Sequence, residues 1–330
     1  MGTAPPDGAE TPATRPTLGR RINAFWLRFF FGCTLRAPWC LGLIRPVAVH
    51  GTWWAAGSVR RGVRANLRRV LGPRAGAAEL NRTGRAVVAS FYDFVCEVGA
   101  NRRRPLGGLL DRIEAIQGGD AFLKTRQSRR GAVLVTAHFG NFEVGLAAMR
   151  EKEDRVHVVF QRDAMTGFET IRHELHRQLG ILETPIDDGL ASWMALRDAL
   201  QSDAVVMLQG DRVMPGQRGL DVPFFDGHLP LPVGPAKLAM MTGAPLIPVF
   251  AVRVPGGRVR IVLGAAIEVP DAAAVEPALQ QIARAIQAVV AQHPEQWHVL
   301  QPAFAEDLAR PPAYPPPGGR LDGRLQNPPK

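Results

Sequence analysis

His138 and Glu143 are the residue types in this chain best suited to proton transfer. They lie in the segment His138-Phe139-Gly140-Asn141-Phe142-Glu143, directly after the apolar run 132–137. Histidine titrates near neutral pH, and a nearby carboxylate can fix its tautomer and stabilise the imidazolium. The pair resembles a Ser-His-Asp relay that lacks its serine. We therefore predict that His138 accepts a proton from a hydroxyl group of a substrate, and that Glu143 orients the ring.

The position of this pair matters, because a histidine followed by a glutamate at this spacing is common by chance. Here an apolar run of strand length ends just before His138, the residues Gly140 and Asn141 turn the chain, and a helical pattern follows. Sheets of α/β proteins bind their ligands at such carboxyl ends of strands. The placement therefore favours a functional site over a pair of core residues.

The apolar pattern predicts the sheet that must position this pair. From residue 132 onward, apolar runs of strand length alternate with amphipathic helices, and the predicted strands are 132–137, 156–160, 181–184, 204–208, 246–253 and 258–263. Such alternation is typical of an α/β fold with a mostly parallel sheet flanked by helices. Residues 58–104 predict helices, so a basic helical region precedes the sheet.

Charged residues follow two further predicted strands. Arg162 comes after the strand 156–160, and Asp211 and Arg212 come after the strand 204–208. A single charge in such a position is more often a plain surface group. In a parallel sheet, however, these strand ends converge with His138 on one rim. The sequence therefore predicts a cleft lined by a base, two arginines and two carboxylates.

The order of these segments carries a resemblance to a known superfamily. Four segments look like the four blocks of the glycerolipid acyltransferases: His138-x4-Glu143, Arg162, Gly210-Asp211-Arg212 and Ala244-Pro245-Leu246-Ile247-Pro248. Two more resemble its branch of late acyltransferases of lipid A biosynthesis, the lauroyl/myristoyl type: Pro223-Phe224-Phe225-Asp226-Gly227 and Gly234-Pro235-Ala236-Lys237-Leu238-Ala239. The likeness covers residues 55 to 300, roughly.

The resemblance implies an O-acyltransferase that moves a fatty acyl chain from an acyl carrier protein thioester to a hydroxyl of a lipid A precursor. It implies no covalent acyl-enzyme, no cofactor and no metal. His138 would be the base and Glu143 its orienting partner. Arg162 and Arg212 would hold phosphate of the acceptor or of a phosphopantetheine arm. Asp211 would orient an arginine or bind a hydroxyl.

Backbone groups near these residues complete the predicted site. The N–H groups of residues 140–142, at a helix start, are predicted to face the developing oxyanion. We also predict that Asn141 and Gly210 bind the substrate. Gln209 and Asp211 stand where glycerol-phosphate-acylating members have Glu and Thr, which argues against a glycerol-phosphate acceptor.

Several alternatives stay open at this point. The donor is either acyl carrier protein or acyl-coenzyme A, and the acceptor is alternatively another glycolipid, a lysophospholipid or an aminolipid. A protein of another class, a non-catalytic basic protein that binds membrane surfaces, also fits the composition.

Basic residues are concentrated in the first third of the chain. The formal net charge is +10, and residues 1–110 hold 17 arginines or lysines against 5 aspartates or glutamates, so the remainder sums to −2. This asymmetry suits an anionic membrane surface or an acidic carrier protein. The aromatic residues cluster in an apolar segment rather than among the basic residues, so we expect no nucleic-acid partner.

Residues 20–57 are predicted to form a membrane-interfacial segment. Arg28, Arg36 and Arg45 interrupt its aromatic-rich stretch 24–49, and no apolar run reaches the ~18 residues of a spanning helix. A buried amphipathic helix is the alternative. The expected location is the cytoplasmic face of the inner membrane, with peripheral or single anchoring.

The remaining boundaries follow from composition. Residues 1–19 and the Pro/Gly-rich residues 306–330 are predicted to be disordered tails, which leaves 58–305 as the acyltransferase domain. The three cysteines form no CxxC pair, so a reducing compartment is expected. Neither a G-x-S-x-G nucleophile motif nor a zinc-ligand spacing is present in the sequence.

Overall fold

A computed structural model describes residues 30–161, 166–214 and 216–308 of the protein, with the side chains of residues 166 and 167 excepted. The predicted site residue Arg162 lies outside the described residues. So do the predicted tail 1–19 and most of the predicted tail 306–330. The described chain remains in contact with the body near its end, where Asp307 forms an ion pair with Arg69 at 2.7 Å.

A seven-stranded, mostly parallel sheet forms the centre of the molecule and confirms the predicted fold class. Its strands, in spatial order, are β1 (Ile113–Gln117), β9 (Arg258–Leu263), β8 (Leu246–Val254), β2 (Ala132–Thr136), β5 (Val205–Gln209), β3 (Val156–Phe160) and β4 (Leu182–Pro185). The pair β8 and β9 is antiparallel, and every other neighbouring pair is parallel. A separate antiparallel hairpin consists of β6 (Gly219–Pro223) and β7 (His228–Pro232).

Helices cover both faces of the sheet. They are α1 (Pro38–Ala55), α2 (Gly57–Val70), α3 (Ala77–Asn101), α4 (Leu106–Leu110), α5 (Gly119–Arg126), α6 (Phe142–Lys152), α7 (Thr166–Leu179), α8 (Leu190–Gln201), α9 (Gly234–Thr242) and α10 (Val275–Gln292). Residues 30–36 are helical as well. The helices α6, α7 and α8 each connect two parallel strands of the sheet, as crossover connections do.

The two central strands, β2 and β5, are buried on both faces. Their sequences are therefore almost entirely apolar. In β2, Val133 and Val135 pack into the core that contains α8, α9 and α10. Leu134 of the same strand packs into the opposite core with α6 and α7. Because side chains alternate along a strand, β2 joins the two cores and fixes the point at which the chain emerges toward His138.

The N-terminal helices form a third apolar cluster beside the sheet. Trp53 of α1 is almost fully buried, and it packs with Val63 and Leu67 of α2 and with Val87 of α3. The guanidinium of Arg60 donates hydrogen bonds to the last carbonyls of α1, at Trp53 and Trp54. One face of the predicted interfacial segment is therefore packed against the protein, as the amphipathic alternative required.

The opposite face of α1 is exposed and apolar. Its exposed large side chains are Trp39, Leu43, Ile44, Val47 and Trp54. Within the part of the chain that the structure describes, no helix has both the length and the apolarity to cross a bilayer.

Candidate active site

His138 and Asp211 meet because β2 and β5 are neighbours in register. The last paired residues of the two strands are Thr136 and Gln209. His138 and Asp211 each follow two residues later, so the same strand register brings them together. The His138 ring atom Nδ1 lies 2.7 Å from Oδ1 of Asp211. The backbone N–H of His138 donates to Oδ2 of the same carboxylate at 3.0 Å.

Asp211 is a buried carboxylate held by three donors. Besides the ring and the backbone N–H of His138, the indole Nε1–H of Trp297 donates to Oδ2 at 3.0 Å. Burial alone raises the pKa of Asp211, but these donors outweigh it and lower the pKa below its ordinary value. An ionised Asp211 accepts the Nδ1 proton of His138 and so leaves the lone pair of the ring on Nε2.

The outer nitrogen of His138 is the accessible end of this pair. The side chain is 27% exposed, whereas Asp211 is fully buried. Among the described residues, Nε2 has no hydrogen-bond partner. A ring oriented by a carboxylate on one side and open on the other is the geometry of a general base.

The predicted contact between Glu143 and His138 is wrong, because the carboxylate on the ring belongs to Asp211. Glu143 lies in the first turn of α6 and is fully buried. Its Oε2 lies 2.7 Å from Nε2 of His176, which belongs to α7. The helix carries Glu143 into the core, whereas Asp211 reaches the ring through strand pairing. The prediction that Asp211 orients an arginine or binds a hydroxyl is likewise corrected.

Glu143 is part of a buried charged triad with His176 and Glu183. The Nδ1 atom of His176 lies 2.5 Å from Oε1 of Glu183, at the start of β4. Burial lowers the pKa of His176, but the two carboxylates outweigh burial and raise this pKa to about 9. His176 is therefore an imidazolium at neutral pH, and the triad joins α6, α7 and β4.

Asn141 and Gly210 lie in the interior rather than in the cleft. Asn141 is fully buried; its Oδ1 accepts a hydrogen bond from the N–H of Val144 at 3.4 Å, and its Nδ2 donates to Glu97. It therefore caps α6. A Cβ on Gly210 would lie 2.5 Å from Cγ1 of Val135, so this glycine allows β2 and β5 to approach closely. The predicted substrate contacts of both residues are corrected accordingly.

Two of the three predicted oxyanion donors, the N–H groups of Gly140 and Asn141, are already engaged. The N–H of Gly140 donates to the carbonyl of Gln296 at 3.0 Å, and the N–H of Asn141 donates to the carbonyl of Ala251 at 2.9 Å. Gly140 has a φ of +60°, and a Cβ there would lie 2.0 Å from the carbonyl oxygen of Ala251. This turn fixes the direction in which His138 leaves β2, and these two N–H groups do not face a substrate.

A C-terminal segment, residues 296–298, supports the loop that carries His138. Gln296 accepts from Gly140, Trp297 donates to Asp211, and the N–H of His298 donates to the carbonyl of His138 at 2.7 Å. Sequence reasoning missed these residues, because they form no motif and lie more than 150 positions from His138. The only signal in the sequence was a tryptophan, Trp297, that lies between two polar residues after a long predicted helix.

Rings and burial hold this segment in place. The ring of Trp297 packs edge-on against Phe224 and Phe304, at 5.7 and 6.3 Å between centroids. Burial, with the positive charge of Arg253 as a further cause, holds the pKa of His298 well below its usual range. His298 is thus a neutral ring, and it lies 2.9 Å from the hydroxyl of Ser90.

Arg212 follows Asp211 on the same rim and is half-buried. Its Nε atom is shielded from solvent and has no hydrogen-bond partner among the described residues. The predicted phosphate contact of Arg212 stays a prediction. A guanidinium with an unsatisfied donor beside the dyad fits the role of an anion ligand.

Comparisons with known proteins show the family of this chain. The model of the bacterial lipid A biosynthesis acyltransferase family matches residues 18–306. The phosphatidylinositol mannoside acyltransferase of Mycobacterium tuberculosis strain H37Rv is 30% identical over 253 residues, which cover 75% of this chain and 78% of that protein. The protein of the same name from Mycolicibacterium smegmatis is 28% identical over 284 residues, covering 83% of this chain and 91% of that one. This chain therefore belongs to the bacterial lipid A biosynthesis acyltransferase family, and it is an acyltransferase.

Proposed function

We propose that this acyltransferase esterifies a hydroxyl of a mannosylated phosphatidylinositol-type glycolipid with a fatty acyl group taken from a thioester. The observation that carries the reaction type is the oriented His138 ring, whose Nε2 is open while Nδ1 is held by a buried Asp211. The acceptor class rests on the two mycobacterial relatives named above. This acceptor is a glycolipid, which is one of the alternative acceptors that the sequence allows.

The dyad suits a direct transfer without a covalent enzyme intermediate. The acceptor hydroxyl loses its proton to Nε2 of His138 as its oxygen attacks the thioester carbonyl carbon. The new C–O bond forms, the C–S bond breaks, and the imidazolium returns the proton to the departing thiolate. Asp211 stays ionised and stabilises the imidazolium. Base catalysis of this kind contributes roughly 10²–10⁴-fold, and positioning two substrates contributes up to about 7–11 kcal/mol.

The basic residues at the rim are proposed to bind phosphate. Arg212, with its unsatisfied Nε, lies next to Asp211 in sequence and follows the same strand. Arg162 follows β3 in the sequence, and one strand, β5, lies between β3 and β2 in the sheet. Phosphate groups occur in both candidate donors, acyl-coenzyme A and acyl carrier protein, and in the proposed acceptor. We favour acyl-coenzyme A as the first donor to test, because it is a small, soluble thioester.

The proposed location is an anionic membrane surface, bound through α1. The exposed apolar face of α1 lies beside α2, which carries arginines. Arg61, Arg64 and Arg68 of α2 form no ion pair with the residues that the structure describes. An apolar stripe with free arginines alongside is typical of helices that lie in the headgroup layer.

The reaction is tested with the purified full chain. Palmitoyl-coenzyme A and palmitoyl-acyl carrier protein are each incubated with a phosphatidylinositol mannoside, phosphatidylinositol or a lipid A precursor, and the products are identified by mass spectrometry. We expect a mass gain of one acyl chain on the mannoside, and none with the His138→Ala variant. Acylation of the lipid A precursor alone would overturn the proposed acceptor and select the function that the family description suggests.

The membrane proposal is tested by co-sedimentation with vesicles. We expect binding to vesicles that contain an anionic phospholipid, and loss of binding in the double variant Leu43→Glu/Val47→Glu. Arg61→Gln should weaken binding by a smaller amount, and more so at low salt. Equal sedimentation of the wild type and the double variant would exclude α1 as the docking face.

A further inference from the structure

A cavity opens at the carboxyl ends of β3 and β4, on the rim of the sheet that also carries the dyad. Its volume is about 410 Å³, and it is lined by Phe160, Glu169, Thr170, His173, Glu183 and Pro185. Phe160 and Pro185 are the last residues of β3 and β4 and are paired in register. Helix α7, which connects these two strands, supplies the opposite wall. The cavity is therefore built from elements that belong to the rigid sheet and its crossover helix.

The cavity lies within reach of His138 along the rim. The strand order is β2, β5, β3, β4, so Phe160 is two strands from β2 and Pro185 is three. Adjacent strands lie about 4.8 Å apart, which places the cavity floor about 10 to 15 Å from the line of β2. A ligand that presents one hydroxyl to His138 reaches the cavity if it carries a further ring or two.

The polar groups of the cavity favour a ligand with many hydroxyls. Glu169 and His173 are spaced i, i+4 and so lie on one face of α7. Both oxygens of Glu183 are in contact with ring nitrogens, those of His173 and His176, yet a carboxylate accepts further hydrogen bonds. Carboxylates and an exposed imidazole accept hydrogen bonds from hydroxyl donors.

The charge of the cavity argues against an anionic ligand. Two carboxylates, Glu169 and Glu183, line it. The imidazolium of His176 behind Glu183 is balanced by Glu143 as well as by Glu183. Among the described residues, the guanidinium close to the floor is that of Arg172, which packs over the ring of Phe160 at 5.8 Å. The described lining is therefore net negative, which favours a neutral ring over a phosphate.

The floor supplies the apolar part of the site. Phe160 and Pro185 present an aromatic and an aliphatic ring at the end of the two strands. Sugar rings have apolar C–H faces and polar edges, so a floor of this kind with polar walls matches a carbohydrate. Ligand sites in general combine an apolar lining with a few placed polar groups.

We propose that this cavity is a subsite for a neutral sugar ring of the acceptor, next to the ring that is acylated at His138. The inference rests on the proposed function, because it assigns the substrate of that same reaction. Glu169 and His173 bind hydroxyls, and Phe160 and Pro185 support the ring. The subsite selects acceptors with an additional sugar and holds them while the reacting hydroxyl approaches Nε2.

Kinetics with full-chain variants test the subsite. The double variant Glu169→Gln/His173→Ala is compared with the wild type and with Glu174→Gln, a control on the same helix whose side chain does not line the cavity. Among the described residues, Glu174 forms an ion pair with Arg102 at 3.9 Å, and it is 46% exposed, so its loss should have little effect. Circular dichroism checks that all three fold.

The acceptors are phosphatidylinositol mannosides with one and with two mannose residues. For the acceptor with two mannoses, we expect the double variant to raise KM about tenfold with little change in kcat, because uniform binding is lost. The KM for the thioester should not change. The acceptor with one mannose should be affected less. Equal KM values in all three proteins, or a rise confined to the thioester, would overturn the subsite.

A binding measurement separates this inference from the proposed function. Saturation-transfer NMR with mannobiose needs no turnover. We expect transfer to the sugar from the wild type and from Glu174→Gln, and little from the double variant. Binding without any acylation of mannosides would support the subsite and overturn the proposed acceptor. Acylation without this difference in binding would leave the proposed function standing and overturn the subsite.

Discussion

Two histidines in this protein each lie 2.7 Å from a carboxylate, but their second nitrogens differ. His138 contacts Asp211 through Nδ1 and is 27% exposed, with Nε2 toward the rim. His176 contacts Glu143 and Glu183 through its two nitrogens and is 1% exposed. A carboxylate partner is thus common to both residues. The open nitrogen distinguishes a histidine that can exchange protons with a substrate from one that holds the fold together.

The electrostatics of the two regions follow from this difference. With two carboxylates around it, His176 keeps its proton at neutral pH, since its pKa is raised to about 9. It therefore cannot act as a base. Its triad joins the first turn of α6 to α7 and β4, directly behind the loop that carries His138. One region has the geometry of a general base, and the other joins the helices that surround it.

The largest expected effect comes from removing the open ring. His138→Ala should lower kcat roughly 10²–10⁴-fold, because the proton acceptor is lost, while the folded structure is retained. His228→Ala is the matched control, since His228 is a surface residue paired with Glu306 at 2.8 Å. Acyl-transfer rates and thermal unfolding are measured for both. If the two variants had equal rates, the distinction between the open ring and the other histidines would fail.

Substitutions of Asp211 and Glu143 should affect different properties of the protein. Asp211→Asn keeps the shape but disturbs the tautomer of His138, and we expect kcat to fall on the order of 10²–10³-fold. Glu143→Gln removes a partner of the buried imidazolium and should lower the free energy of unfolding by about 3–5 kcal/mol. For the folded fraction, kcat should fall less than tenfold. Equal losses of kcat in the two variants would restore Glu143 as the orienting residue.

The buried triad predicts a pH dependence of stability. The folded pKa of His176, about 9, lies above its ordinary 6.5, so the stabilisation is complete below pH 6.5 and is lost as the pH rises through 9. Its size is on the order of 3 kcal/mol, because the pKa rises from 6.5 to about 9 on folding. Urea unfolding of the wild type and of His176→Gln at pH 6, 7.5 and 9 measures it. The difference between the two proteins should shrink with rising pH; a constant difference would contradict the triad.

The smallest effect is expected at Trp297. Trp297→Phe keeps an aromatic ring between Phe224 and Phe304 but removes the N–H that donates to Asp211. A hydrogen bond to a charged group contributes about 1.5–3 kcal/mol, so kcat should fall roughly 10- to 100-fold. Trp193→Phe serves as the control for a tryptophan outside the dyad. An unchanged kcat in Trp297→Phe would show that the register of β2 and β5 suffices to hold Asp211.

The fold was predictable where local patterns were strong. The strands 156–160 and 258–263 have the predicted bounds. Each is a short apolar run with a change of composition at its ends. The ends of β2 and β5 were predicted within one residue, which was enough to place His138 and Asp211 at one rim.

The partners of the site residues were less predictable. Glu143 is near His138 in sequence, but the helix that starts at residue 142 directs it into the core. Asn141 has a polar side chain of a kind common in binding sites, yet it caps that helix and contacts Glu97. Residues that are close in sequence need not be close in space. The start of helix α6 directs the side chains of Asn141 and Glu143 away from the ring of His138.

The sequence by itself determined the alternation of strands and helices, the block order that identifies the family, and the position of His138 at the end of a central strand. These features depend on the periodicity of apolar residues and on the residue types in short segments. Interactions between residues that are near in sequence determine both. Tertiary structure alone decided which carboxylate holds the ring, that Trp297 supports it, and that Glu143 pairs with His176. Those contacts join residues far apart along the chain, and they exist only because the strand order places β5 beside β2 and the C-terminal segment across both.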